Sequence, residues 1–198
     1  MAYKILAINP GSTSTKISLA NDDQLVFVAD IAHSREELSK FKRISDQYHF
    51  RKQVVIEELK NRNIPLNFDA VIGRGGLAKP VSSGVFTITE QMIIDQQRAI
   101  HQHACDLGCM IADEIAREIP GCKSFIADPG VVDEMEPEAR LSGSPLMPRM
   151  CIWHALNQKA IGRRFAKDMG TSYDKLNLII CHLGGGISIA AHAHGRAI

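Results

Sequence analysis

The chain has 198 residues, 45% of them hydrophobic and 23% charged, enough to bury a substantial core in one domain or in one domain plus part of a second. A formal net charge of +1 gives no footprint for nucleic acid or a membrane surface, and no apolar run approaches the roughly 18 residues of a membrane span. The five cysteines, Cys105, Cys109, Cys122, Cys151 and Cys181, are odd in number and form no CxxC pair; with no signal-peptide pattern at residues 1–8, they read as free thiols in a cytoplasmic protein.

Tyr3 to Ile8 is a short apolar run with β character, broken at Asn9-Pro10-Gly11, a turn cluster. Lys16 to Ala20 alternates again, and Asn21-Asp22-Asp23 turns into a third strand, Gln24 to Ile31, so the chain opens on an antiparallel meander. Gln47 to Arg62 carries Phe50, Val54, Val55 and Leu59 at helical spacing and is followed by Pro65. Ala70 to Gly73 predicts a buried strand entering a glycine-rich loop. Thr89 is placed to cap a helix starting at Glu90, and Ala104 to Arg117 predicts another, stopped by Pro120-Gly121. Lys123 to Ala127 is a strand aimed at Asp128-Pro129. Cys151 to Met169 predicts a long helix, and Leu176 to His182 and Ile187 to Ala191 predict two strands around a glycine turn.

An internal repeat runs through this pattern. Ile5–Gly11 followed by Lys16–Ala20, and Leu178–Gly184 followed by Ile187–Ala191, are each an apolar strand, a turn of small residues and an amphipathic strand ending in a polar turn. The expectation is a duplicated α/β architecture, with domains at 1–150 and 151–198, the second cut off early.

Four segments carry candidate chemistry. Asn9–Lys16 combines a glycine, the hydroxyls of Ser12 and Ser14 and the charge of Lys16, an anion-binding turn that is not a Walker A loop; a polar turn without a ligand fits as well. His182 and the run Gly184, Gly185, Gly186 form a second turn, where glycines let a backbone come close to a phosphate, or simply a flexible turn. Two facing hairpin turns would grip a nucleotide's phosphates from both sides. Arg74, between Gly73 and Gly75, is presented on a loop with a planar fork that matches a carboxylate or phosphate, or is a surface arginine. Asp128 ends a strand where α/β folds place ligand-facing acids, or makes a local turn. His154 reads equally as a core or a ligand-facing residue, and His33, His49, His192 and His194 read as surface residues. Glu134, Glu136 and Glu138 form a solvated acidic stretch.

Ile8–Lys16, Gly73-Arg74-Gly75-Gly76-Leu77, Asp128–Asp133, Ser142-Gly143, Ile152–Lys159 and His182–Ser188 occur in one order along the whole chain. As an ordered set they resemble the acetokinase family, on its butyrate-kinase branch. The resemblance implies an actin-like (ribonuclease H-like) α/β domain with a mixed sheet and flanking helices, plus the start of a second, duplicated domain. It implies transfer of the ATP γ-phosphoryl group to a short-chain carboxylate, with ATP and Mg²⁺ as cofactors. Asn9, Ser12, Ser14 and Lys16 would lie on the first phosphate turn, with His182, Gly184, Gly185 and Gly186 on the second. Arg74 would hold the acceptor carboxylate, His103 (or His101, two residues away) and His154 would face the transferring group, and Asn9 and Asp128 would organise Mg²⁺.

The residue types suit that chemistry. Both reactants are anions, so positive charge and donors are needed to bring them together. A simple carboxyl group titrates near about 4, so the acceptor needs no strong base and Asp128 is expected to organise metal or water. Against that family the chain is expected to lack a later arginine, a late acidic Mg²⁺ residue, the adenine pocket and a dimer-forming region. Negligible kinase activity is therefore expected of residues 1–198 alone. Expected partners are a small carboxylate and the missing C-terminal half, with homo-oligomers among full-length relatives. An acetate or propionate kinase, or a non-catalytic fragment of the fold, are the alternatives.

Overall fold

A computed structural model describes residues 2–76, 79–98 and 102–198. They form two compact units, one of Met1–Ala78 with Val85–Ala127, the other of Lys79–Gly84 with Asp128–Ile198. The division after Ala127 comes earlier than the boundary at 150 expected from sequence. Residues following Asp128 fold with the later segment: the Trp153 backbone N–H donates to the Gly130 carbonyl at 3.0 Å and its indole N–H to the Val132 carbonyl at 2.7 Å.

The first unit is built on a six-stranded sheet of order β3-β2-β1-β4-β6-β5. β1 (Lys4–Pro10), β2 (Ser14–Asn21) and β3 (Gln24–Ala32) make the expected antiparallel meander. β4 (Ala70–Arg74) and β6 (Lys123–Ala127) run parallel to β1, and β5 (Val85–Thr87) closes the edge antiparallel to β6. Period-two alternation sends Leu6, Ile8, Ile17, Leu19, Val71 and Ile126 into the core. There they meet Val55 and Leu59 of α2 (Tyr48–Asn61) and Leu107, Ile111 and Ile115 of α4 (Asp106–Arg117). Each such fully buried side chain contributes about 1.5–3 kcal/mol from the area removed from water.

Two shorter helices complete the unit. α3 (Glu90–Arg98) starts where expected, with the Met92 N–H donating to Thr89 Oγ1 at 3.3 Å. α1 (Arg35–Ser39) was not anticipated. Ser34 and Glu37 cap it reciprocally: the Glu37 N–H donates to Ser34 Oγ at 3.1 Å and the Ser34 N–H to Glu37 Oε2 at 2.7 Å.

The second unit holds a three-stranded antiparallel sheet, β7 (Asn177–Leu183), β8 (Ile187–Ala193) and β9 (Arg196–Ala197), with α5 (Ala155–Asp168). The repeat seen in the sequence is present as two antiparallel hairpins, β1–β2 and β7–β8, each leading into a third antiparallel strand. α5 begins at Ala155, four residues later than the sequence pattern predicts. The preceding residues are bonded elsewhere: the Cys151 thiol and Trp153 indole donate to the Val132 carbonyl, and the His154 N–H donates to Ser188 Oγ at 3.2 Å.

Charged groups close this unit. Lys159, 1% exposed, pairs with Glu134 at 2.7 Å and donates to the Gly195 carbonyl at 3.1 Å, while Glu134 also accepts the Ala197 N–H at 3.0 Å. Glu134 is thus a structural partner rather than part of a solvated stretch. His33 and His192, expected on the surface, are buried as well. Among the described residues no helix is long and apolar enough to cross a membrane.

Candidate functional site

In the first unit the cross-strand register lines up the predicted residues. Asn9 of β1 lies opposite Lys16 of β2, and Lys16 opposite Asp30 of β3. Arg74, on the next strand, donates from Nη1 to Asn9 Oδ1 at 3.4 Å. The row Arg74–Asn9–Lys16–Asp30 therefore runs across four neighbouring strands. Sequence reading missed Asp30, which changes the charge balance: it pairs with Lys16 at 3.3 Å, with both groups about half exposed. A hydrogen bond from the Ser14 hydroxyl, and then Lys16, lower its pKa. An exposed pair of this kind contributes little stability, so Lys16 and Ser14 can exchange Asp30 for an incoming anion at small cost.

Arg74 is the last residue of β4, paired with Ala127 of β6, rather than a loop residue. Gly73 before it and Gly108 on α4 have a packing reason. A Cβ at Gly73 would fall 2.1 Å from the Gly108 carbonyl oxygen, and one at Gly108 would fall 2.5 Å from the Arg74 oxygen and 3.3 Å from Pro10. Bare backbone at both positions lets α4 lie directly on β4 beside the turn.

The Gly11–Thr13 turn is itself closed, with the Gly11 N–H donating to the Ser14 carbonyl at 2.7 Å. The Gly11 N–H is therefore spent inside the turn, and the predicted side chains of Asn9, Ser12, Ser14 and Lys16 remain its candidate donors. Behind the turn sits Arg51, which is fully buried on α2. It donates to the Ser12 carbonyl at 3.3 Å, the Ser14 carbonyl at 3.0 Å, Thr15 Oγ1 at 3.1 Å and Gln47 Oε1 at 3.0 Å. Burial brings its pKa down to about 10, so it remains charged at neutral pH, a cation under the turn. Thr15 also meets the buried His33 at 2.8 Å. Nothing in the spacing of Arg51 along α2 marks it for this place.

His103 lies just before α4 in the first unit. Its Nδ1 accepts the Cys105 N–H at 3.2 Å, and its backbone N–H donates to Asp106 Oδ2 at 2.7 Å. The ring is thereby held at the start of the helix, in a residue that is exposed. Cys105 is a thiol at neutral pH, burial having pushed its pKa up to about 11. His101, the alternative, lies outside the described residues.

In the second unit, His154, His182 and Gly184 to Gly186 come together. The rings of His154 and His182 stack with centroids 3.7 Å apart and planes 6° from parallel. His182 Nδ1 accepts from the Asn157 amide at 2.8 Å, and His154 Nδ1 lies 2.8 Å from Ser188 Oγ. A Cβ at Gly186 would crowd the His154 ring at 3.2 Å, whereas nothing lies within 4 Å of one at Gly185. The glycine turn is thus tight against the histidines on one side and open on the other.

Asp128 follows β6 with φ 35° and is 5% exposed. Its Oδ1 accepts the Ser83 hydroxyl at 2.6 Å and the Gly84 N–H at 2.9 Å, and its Oδ2 lies 3.3 Å from Arg163 Nη1. A carboxylate already holding a guanidinium fits a Mg²⁺ ion held through water rather than one bound directly. Mg²⁺ usually keeps several waters and takes one or two carboxylates plus substrate phosphates. Among the described residues no group of three His, Cys, Asp or Glu forms a metal cage.

No protein-family model matches the chain. It is 60% identical over 195 residues, 98% of its own length, to a probable butyrate kinase of Bacteroides thetaiotaomicron, and 48% identical over 198 residues to butyrate kinase 1 of Clostridium acetobutylicum. It spans about 55% of the length of these relatives. Among solved structures, it matches acetate kinase from Porphyromonas gingivalis with a TM-score of 0.68 at 19% identity, covering 99% of this chain and 56% of that one. It matches acetate kinase from Entamoeba histolytica with a TM-score of 0.66 at 16% identity, covering 98% and 53%. Over its whole length the chain is a homologue of proteins named butyrate kinase, and its fold is the actin-like α/β fold of the acetate kinases.

Proposed function

We propose that the chain, a homologue of butyrate kinases along its length, is the N-terminal portion of a carboxylate kinase. The reaction it serves moves the γ-phosphoryl group of ATP to butyrate or a related short- or branched-chain carboxylate, giving an acyl phosphate. The observation that carries this reading is the row of anion donors, Arg74, Asn9 and Lys16, on adjacent strands of a chain with this homology.

Each residue then has a chemical task. Arg74 binds the acceptor carboxylate through its planar fork, oriented by its bond to Asn9. Ser12, Ser14 and Lys16 hold phosphate oxygens, Lys16 and Ser14 releasing Asp30 as they do so. The buried charge of Arg51 fixes the turn and adds positive potential beneath it. His182 and Gly184 to Gly186 receive phosphate oxygens at the open side of the second turn. His103 and His154 donate to the transferring group. Bound Mg²⁺ would neutralise charge on the nucleotide phosphates, and Asp128, with Asn9, would orient its waters. The acceptor arrives ionised, so no residue is asked to remove a proton from it.

A small carboxylate is the partner proposed for the first unit. For the whole protein the proposed partner is the polypeptide that makes up the rest of the relatives' length, in homo-oligomers and in the cytoplasm. Isotope-edited spectra of the chain test the assignment. Butyrate should move the Arg74 guanidinium resonance, and Mg·ATP should move the amides of Gly184 to Gly186 and the rings of His154 and His182. Butyrate should also shift the neighbouring Asn9 side-chain amide; Arg74→Ala should abolish that shift and keep the nucleotide response. Responses confined to other residues would sink the proposal.

A further inference from the structure

Ser188 has its hydrogen bonding fully assigned by its neighbours. A serine hydroxyl has one hydrogen to give and two lone pairs with which to accept. Both lone pairs are taken: Gln158 Nε2–H donates to Ser188 Oγ at 2.9 Å and the His154 backbone N–H at 3.2 Å. The Gln158 amide is itself fixed. Its Oε1 lies 2.9 Å from His192 Nε2, and its Nε2 also donates to the Ser188 carbonyl at 3.0 Å.

His192 anchors the far end. It is 1% exposed, and burial, then the charge of Lys159, lower its pKa. Burial of Tyr173 pushes that hydroxyl up to about 12, so it keeps its proton and donates to His192 Nδ1 at 2.5 Å. His192 therefore carries its hydrogen on Nε2 and donates to Gln158. Every bond from Tyr173 to Ser188 has one direction, and the remaining Ser188 hydrogen points at His154 Nδ1, 2.8 Å away.

We propose that Gln158 and Ser188 are positioning residues that hold His154 as the Nε2–H tautomer, with Nδ1 locked as an acceptor. The other ring nitrogen, Nε2, is then a donor. Nε2 lies against the glycine turn, 3.3 Å from where a Gly186 Cβ would be, and the His182 stack fixes the plane of the ring. A ring held in this way gives a hydrogen bond to a negatively charged oxygen and offers that oxygen no lone pair, the arrangement that stabilises charge developing in a transition state. Its use on a phosphoryl group rests on the carboxylate-kinase reading; the tautomer itself does not.

The test is long-range ¹H–¹⁵N spectroscopy of the chain labelled at its eight histidines, with His154 assigned from the His154→Gln variant. The wild type should show Nε2–H at His154 and an Nδ1 resonance displaced by an accepted hydrogen bond. Gln158→Glu should invert the tautomer to Nδ1–H, because a carboxylate at 158 draws the Ser188 hydrogen to itself and frees a lone pair for His154. Ser188→Ala should move the Nδ1 resonance to its unbonded position, and Ser188→Thr should retain the wild-type pattern. Nδ1–H in the wild type, or a natively folded Gln158→Glu that keeps Nε2–H, overturns the proposal. If Gln158→Glu does not fold, Ser188→Ala decides, and an unmoved Nδ1 resonance there overturns it. None of these readouts needs nucleotide or phosphoryl transfer, so failure of the kinase reading and failure of the tautomer lock are separate results.

Discussion

The two glycine-bearing hairpins have the same strand plan and opposite means of support. β1–β2 has the core on one side, with Ile17 and Leu19 nearly inaccessible, and a buried cation, Arg51, holding the carbonyls of its turn. β7–β8 has α5 on one side, held by a neutral hydrogen-bond relay through His192, Gln158 and Ser188. Its other side shows Ile179, Leu183, Ile187 and Ile189 to solvent. A turn that must meet anions can thus be fixed either by placing charge behind it or by orienting dipoles beside it. The first also supplies potential, and the second also sets which ring nitrogen carries a hydrogen.

The largest expected effect concerns the buried Lys159–Glu134 pair, which ties α5 to the later strands through Gly195 and Ala197. Lys159→Met leaves Glu134 buried without its cation and should cost about 3–5 kcal/mol, read as a lower urea midpoint for the second unit. A loss near zero would mean that the neutral relay alone holds β7–β8. Next is Arg51→Met, which orphans the acceptors of the first turn and should cost about 1–3 kcal/mol for a buried acceptor left unsatisfied. It should also weaken phosphate-induced shifts at Ser12 and Ser14. If stability falls and those shifts persist, Arg51 is a brace only, and the contrast between the hairpins narrows to packing.

The smallest effect is a pH slope common to both units. His33 is held below its ordinary pKa by burial and then by Arg51, and His192 by burial and then by Lys159. A histidine lowered in the folded state binds protons more readily when unfolded. Its contribution is therefore complete above about pH 6.5 and declines as pH falls from there toward the lowered folded value. Denaturation midpoints measured from neutral pH down to about 5 should fall, less steeply in His192→Asn. An equal slope in that variant would show that His192 does not titrate on unfolding.

The meander, the existence of strands β4 and β6 and the helices α2, α3 and α4 are legible because each follows a local rule: alternation, spacing or a cap. The Ser34–Glu37 box that starts α1 is also a local signal. The start of α5 was misread because Ile152-Trp153-His154 has helical composition, and only contacts with Val132 and Ser188, far off in sequence, hold it out of the helix. The candidate site divides in the same way. Asn9, Arg74, Asp128 and the two glycine turns announce themselves by residue type beside a turn. Asp30, Arg51, Arg163, Gln158 and Ser188 do not, since each acts through a partner that only tertiary structure supplies. A residue type can suggest that His154 meets a ligand; which of its nitrogens bears the hydrogen follows only from the chain of bonds behind it.

The solvent-facing side of β7–β8 carries a built-in chemical reporter. Cys181 lies on that face between Ile179 and Leu183 and is exposed. Cys105 and Cys109 are buried thiols, held at about 11 and about 12, and Cys122 and Cys151 are half-covered and shifted upward as well. A thiol-directed label therefore goes first to Cys181. The rate at which it attaches becomes a footprint of whatever polypeptide comes to rest on those strands, readable by mass without any assay of catalysis.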